Sequence, residues 1–240
     1  MKKFFKHLFV VSIFINLSLF AQTSFKEHSA KILSINGNTA TAKSFDDVSV
    51  GSSGVVVHDF DKKHSTIVAK FIVISKNKNS VNIKFVPFRD LKQDVLPVPK
   101  ILPQVGDKAI FNFLYNYALP IAPNFLAYKE AMFKHKDIKW LHPDLFAAKL
   151  FADDNPTPTK KDFQKMCMDY NFYLLYFAID HTGYFVDCNS FKVLKQEKID
   201  TGKSVNLPFF SRIKDIQKSW FSFGGSKIDN YNSYYKNLIR

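Results

Sequence analysis

The sequence predicts an α+β protein: an N-terminal small antiparallel β-barrel or sandwich followed by a mixed α+β part. Three observations predict it. Residues 29–88 carry β-branched and alternating runs broken by tight turns. Pro87, Pro97, Pro99 and Pro103 then interrupt all regular structure. Beyond them, helical apolar spacing is interleaved with a run that is apolar on both faces. The expected organisation is a signal peptide over 1–21, a β-rich domain over 22–86, a proline-rich extended linker over 87–106, an α+β domain over 107–200, and a basic aromatic tail over 201–240.

The first residues read as an address. Lys2, Lys3 and Lys6 precede the apolar run Leu8 to Phe20, and Ala21 closes it. A basic start, a short greasy segment and a small residue at the cut are the parts of a secretory leader. Its removal takes the net charge from +13 to +10. No later segment has the ~18 apolar residues of a membrane span, so the mature protein is expected to be soluble or membrane-peripheral. The expected location is the periplasm, the outer-membrane surface or the medium.

Ala30 to Ile35 meets Asn36-Gly37, a two-residue hairpin signal, and Asn38 to Lys43 follows. Val50 to Phe60 and Ser65 to Ser75 are β-branched runs joined by the charged turn Asp61 to His64. Asn77-Lys78-Asn79 turns the chain into the alternating Val81 to Phe85. Five short strands with tight turns suit a small barrel or sandwich. Past the prolines, Ala109 to Tyr115 reads as a strand with Ala109, Phe111, Phe113 and Tyr115 on one face. Pro123 suits a first helical turn, and Phe125, Tyr128, Met132 and Phe133 have helical spacing. Pro143 opens a second short helix through Leu150. Thr159 and Asp162 make a capping box ahead of Phe163, Met166, Cys167 and Tyr170, which fall on one helical face. Phe172 to Ile179 is apolar on both faces and reads as a central covered strand. His181-Thr182-Gly183 turns it into Tyr184 to Cys188, and Phe191 to Lys195 gives a third strand. Gly224-Gly225 breaks the last forty residues, which end in Tyr231, Tyr234, Tyr235 and Lys236.

Composition narrows the partners. The chain of 240 residues is 46% hydrophobic and 23% charged, which is globular rather than disordered. Arginine occurs only at Arg89, Arg212 and Arg240, so lysine makes up the rest of the 34 basic residues. Phosphate reading favours the arginine fork, so no nucleic-acid partner is expected. Cys167 and Cys188 are the only cysteines; after export they suit either one disulfide or two buried thiols.

Catalytic signatures are missing. There is no G-x-S-x-G, P-loop, H-E-x-x-H or G-x-G-x-x-G. His58, Asp59, Asp61 and His64 crowd one turn, where a solvated turn is a better account than a metal site. His142-Pro143-Asp144 reads as helix-start chemistry, Asp180-His181 as a turn, and Cys167 as core. No nucleophile, base and orienter come together, so neither enzyme activity nor a cofactor or metal is expected.

Three stretches carry a resemblance: Val50-Gly51-Ser52-Ser53-Gly54-Val55-Val56-Val57-His58, Tyr117-Ala118-Leu119-Pro120-Ile121-Ala122-Pro123-Asn124, and Trp140-Leu141-His142-Pro143-Asp144-Leu145-Phe146-Ala147-Ala148. Pro156 to Gln164 and Tyr184-Phe185-Val186-Asp187 follow in the same order. As a set they resemble the N-terminal domain of the bacterial plasminogen-binding PgbA family. The resemblance implies an exported, non-enzymatic surface protein that captures host plasminogen through exposed lysines. Plasminogen kringles hold an ammonium between carboxylates and aromatic walls. The implied contacts are Lys227, Lys236 and Arg240; because the last residue is an arginine, a cation of different shape, the internal lysines carry more of the load. The second reading from sequence is a periplasmic or outer-membrane-associated structural or assembly component with a bacterial partner.

Overall fold

The computed structural model describes residues 25–88, 90, 100–213 and 227–240. The expected leader and half of the proline-rich stretch lie outside these residues. The architecture is α+β, with a closed six-stranded barrel followed by a five-stranded sheet covered by helices.

In the barrel, β1 (His28–Asn36) and β2 (Thr39–Lys43) form the hairpin that Asn36-Gly37 signals, with Asn36 opposite Thr39 and Gly37 in the left-handed region at φ 58°. Next come β3 (Ser53–Asp59), β4 (Ser65–Lys76) and β5 (Ser80–Val86). Alternation decides their faces: Val81, Ile83 and Phe85 of β5 point into the barrel while Lys84 points out. The ring runs β1-β2-β5-β4-β3 and is closed by β6 (Lys108–Phe111), which pairs antiparallel with both β1 and β3.

That sixth strand departs from the sequence reading, which placed Ala109 to Tyr115 in the second part. Asn112 and Leu114 adopt positive φ, 54° and 56°, so the chain turns immediately after Phe111. Ala109 and Phe111 stay in the barrel core, whereas Phe113 and Tyr115 pass to the second core. The physical drive is edge pairing: without β6, the outer edges of β1 and β3 would present unpaired backbone groups. The barrel's strands are therefore not confined to 22–86.

The sheet has the order β11-β10-β9-β7-β8, with β7 (Tyr117–Ile121) parallel to both β8 (Lys139–Trp140) and β9 (Leu174–Ile179). β10 (Thr182–Asp187) and β11 (Val193–Lys198) extend it antiparallel. Every residue of β9 is buried, as its apolar run predicts. Leu175, Phe177 and Ile179 face one core; Leu174, Tyr176 and Ala178 face the other. The first core is covered by α2 (Pro143–Ala152), α3 (Lys160–Tyr170) and α4 (Tyr231–Leu238), and the second by α1 (Phe125–Lys134).

Helix starts follow local chemistry. His142 caps α2 and Pro143 occupies its first turn. Thr159 donates from its N–H and its hydroxyl to Asp162 Oδ2, both at 2.7 Å, in the expected capping box. Burial works against the Asp162 carboxylate, yet these bonds hold its pKa below the usual range. Asn124, not Pro123, sits at the start of α1, its side chain accepting from Ala127 N. α1 also turns a different face inward: Ala127, Tyr128 and Ala131 are buried, while Phe125 and Phe133 face outward.

Cys167 of α3 and Cys188, just past β10, form a disulfide across 21 residues. Closing a loop of that size stabilises by about 3 kcal/mol in the chain-entropy account. Replacing both cysteines with alanine is expected to lower unfolding free energy by about that amount in denaturant titration, with the far-UV spectrum preserved.

Candidate functional site

Residues 227–240 are a docked helix rather than a loose tail. Asn230 caps α4 by accepting from Ser233 N at 2.9 Å. Ile228, Tyr231, Tyr235 and Ile239 enter the core beneath α2 and α3. The Tyr231 hydroxyl donates to Ile121 O and the Tyr234 hydroxyl to Pro158 O, each at 2.9 Å. Burial pushes the Tyr231 and Tyr235 hydroxyls well above their ordinary pKa, so both remain neutral anchors. The aromatic residues of this segment are thus its attachment, and the basic ones are what it presents.

The cations gather at one end of this helix. Lys236 is exposed, its ammonium 3.7 Å from Asp180. Lys160, at the start of α3, donates to the Arg240 carbonyl at 3.2 Å and lies 5.4 Å over the Phe191 ring. Of the residues implied by resemblance, Lys236 lies in the last turn of α4 and Arg240 just past its end, where its carbonyl accepts from Lys160; Lys227 is also exposed but lies ahead of Asn230, beyond the other end of the helix. Exposed ion pairs of this kind are weak, so these ammonium groups can be surrendered to a partner at small cost.

Several motif residues lie elsewhere and are buried. Asp187, at the end of β10, is fully buried between the two modules. Its carboxylate accepts from the Ser53 hydroxyl at 2.5 Å, the Tyr115 hydroxyl at 2.6 Å and the Ser190 N–H at 2.6 Å. Ser53 N donates to Tyr115 Oη at 2.9 Å, Asn189 Nδ2 to Ser53 Oγ at 3.0 Å, and Ser190 Oγ to Gly51 O at 2.6 Å. No cation touches Asp187 among these contacts, and burial pushes its carboxyl above the usual range despite the three donors. A second tie sits nearby. The buried Lys70 ammonium donates to Asp90 at 2.8 Å and lies 5.2 Å over the Tyr173 ring, whose hydroxyl also donates to Asp90. These groups fasten barrel to sheet and are closed to any partner.

The histidines and acids singled out in sequence take structural roles. His64 pairs with Asp61 inside its own turn at 2.7 Å, while His58 pairs with Asp107 at 2.8 Å. Asp144 holds Arg212 through the backbone N–H at 2.8 Å and Nε at 2.6 Å; against burial, these bonds keep its carboxyl below the usual range. His181 stands exposed 3.7 Å from Asp200. Among the described residues no group of acids, histidines or cysteines could hold a metal ion. One cluster escaped the sequence reading: His135 lies 2.8 Å from Glu197, which also accepts from the Tyr176 hydroxyl at 2.7 Å. These residues are far apart in the chain, and no local signal announces them. Gly183 makes the cluster possible, since a Cβ there would lie 2.0 Å from Tyr176 Oη.

The sequence matches the family described as "Plasminogen-binding protein pgbA N-terminal" over residues 27–239. The chain belongs to this family. Two curated relatives are the plasminogen-binding protein PgbA of Helicobacter pylori strain J99 and that of strain 26695, each 29% identical over 198 residues. The match covers 81% of this chain and 43% of either relative, so the chain spans less than half the length of those proteins. The family match takes in the barrel, the sheet and all of α4. Among the described residues no helix is long and apolar enough to cross a membrane.

Proposed function

We propose that this chain is an exported, non-enzymatic protein that captures host plasminogen, and that its contacts are the exposed cations around the C-terminal helix. The observation that carries the reading is the division of labour in that helix. Its tyrosines are spent on the core, which leaves Lys236 exposed in the last turn and Arg240 exposed just past it, with Lys160 bonded to the Arg240 carbonyl. Membership of a family named for plasminogen binding supports plasminogen as the partner. A pocket that reads lysine needs an ammonium it can enclose between carboxylates and aromatic walls, and a preordered helix offers one without a large ordering cost. Lys227, at the other end of the helix, supplies a further exposed ammonium.

Immobilised plasminogen and the purified chain test the reading directly. Binding is expected in buffer, and excess free lysine analogue is expected to abolish it. Binding that survives the analogue contradicts the lysine route, and a chain that binds no plasminogen contradicts the function and favours a bacterial assembly partner.

A further inference from the structure

α1 is built the wrong way round for a helix whose only task is to seat on a sheet. Its inward face is Ala127, Tyr128 and Ala131. Its outward face carries larger apolar groups, with Phe125 53%, Leu126 67% and Phe133 71% exposed. At 100° per residue, Phe125, Lys129, Phe133 and Leu126 fall within an arc of about 100°, a single continuous stripe. Ordinary amphipathic packing puts such residues inward.

The stripe continues beyond the helix. Asn206 N donates to Pro123 O at 2.6 Å, which seats residues 205–207 beside the start of α1. Val205 and Leu207 are exposed there, and the Phe210 ring lies 5.6 Å from that of Phe125. Lysines are set among the apolar groups. Lys129 lies inside the stripe, the Lys136 ammonium sits 4.7 Å over the Phe133 ring, and Lys203 is exposed near Val205. The nearest acid on the helix, Glu130, is already engaged by Lys134 at 2.8 Å and by the Asp200 N–H at 3.1 Å.

We propose that this ridge of Phe125, Leu126 and Phe133 with Lys129 and Lys136 docks on the surface of an anionic lipid bilayer. The occupant follows from shape and charge together. An exposed helix face is a ridge, and a protein partner would need a matching groove. A bilayer surface deforms around a ridge: rings enter the boundary between headgroups and acyl chains, and ammonium groups meet the phosphates. Contiguous apolar surface of this kind marks an interaction site rather than ordinary exposure. The ridge is separate from the C-terminal cations, so lipid docking leaves the proposed plasminogen contacts open.

Vesicle flotation tests the proposal with the chain from Gln22 onward, which keeps every described element and excludes the apolar leader. The probes are vesicles of phosphatidylglycerol with phosphatidylcholine, and vesicles of phosphatidylcholine alone. Binding to the anionic vesicles is expected, weakening with salt, with little binding to the neutral ones. The double variant L126S/F133S and the double variant K129E/K136E should each lower that binding at least 10-fold with an unchanged circular dichroism spectrum. F60S and F151S, which remove exposed rings elsewhere, should leave it unchanged. Absent binding, equal binding to both vesicle types, or full binding by L126S/F133S overturns the proposal. So does a dimer in light scattering that L126S/F133S dissociates while vesicle binding stays unchanged, since the face would then belong to a second copy.

Discussion

Replacing Asp187 with alanine is expected to lower the unfolding free energy by roughly 3 kcal/mol, because each buried polar group left without a partner costs about 1–3 kcal/mol. Three donors converge on that carboxylate: the Ser53 and Tyr115 hydroxyls and the Ser190 N–H. Alanine leaves the Ser190 N–H unpaired and strips the two hydroxyls of their shared acceptor. Asn189 keeps its bond to Ser53, which limits the loss. Asp187→Asn separates hydrogen bonding from charge, because the amide fills the same space and keeps one acceptor. Its cost should be clearly smaller than that of alanine at neutral pH. The pH dependence has a definite sign. Burial raises the folded-state pKa of Asp187 above its unfolded value, so the folded protein holds this proton more tightly. The contribution is complete below the unfolded carboxylate range and is lost as pH rises through the folded pKa. Wild-type protein should therefore show a component of stability that falls with rising pH in that window, and Asp187→Asn should lack it. Denaturant titrations of the three proteins across pH measure both effects; an alanine variant as stable as wild type contradicts the buried seam.

Gly54→Ala is expected to prevent normal barrel closure. A Cβ at this position would lie 2.1 Å from the Ile110 carbonyl oxygen and 2.4 Å from the Phe71 ring. The first of these is backbone of β6, which cannot rotate away as a side-chain end can. Gly54 pairs with both Phe71 of β4 and Phe111 of β6, at the point where three strands meet. Overpacking a core costs about 1–3 kcal/mol when side chains can adjust, and a backbone collision belongs at or above the top of that range. Hydrogen exchange should show the loss locally, with amides of β6 and β1 exchanging much faster while those of β9 keep their protection. Unchanged exchange in β6 would mean that the close approach of these strands is not needed.

Much of this fold is legible in the sequence wherever local chemistry decides. The alternation of Val81, Ile83 and Phe85, the capping pair Thr159 and Asp162, and the unbroken apolar run of β9 each specify their element without help from distant residues. The failures share a cause. Ala109 to Tyr115 alternates like one strand, but positive φ at Asn112 and Leu114 divides it between two cores. α1 has helical spacing in its large residues, yet its sheet-facing side is filled by two alanines and one tyrosine. Of the spaced residues Phe125, Tyr128, Met132 and Phe133, only Tyr128 and Met132 pack on the core, so spacing alone gives the helix and not its buried face. The seam was illegible for another reason: Ser53 and Asp187 are 134 residues apart, and short motifs do not reveal which polar groups will share a buried space. The attachment of the C-terminal segment was not legible either, since nothing local shows that Tyr231 and Tyr235 will bury and leave Lys236 exposed.

Plasminogen affinity of a variant with Lys160, Lys227, Lys236 and Arg240 all changed to alanine, measured against wild type by surface plasmon resonance, is the most direct trial of the whole account. Lys227, Lys236 and Arg240 are exposed and Lys160 is half-buried over the Phe191 ring, so the unfolding free energy should fall by no more than about 1 kcal/mol, while affinity should fall at least 10-fold, about 1.4 kcal/mol. Equal affinity in the two proteins would contradict the assignment of plasminogen capture to the C-terminal helix.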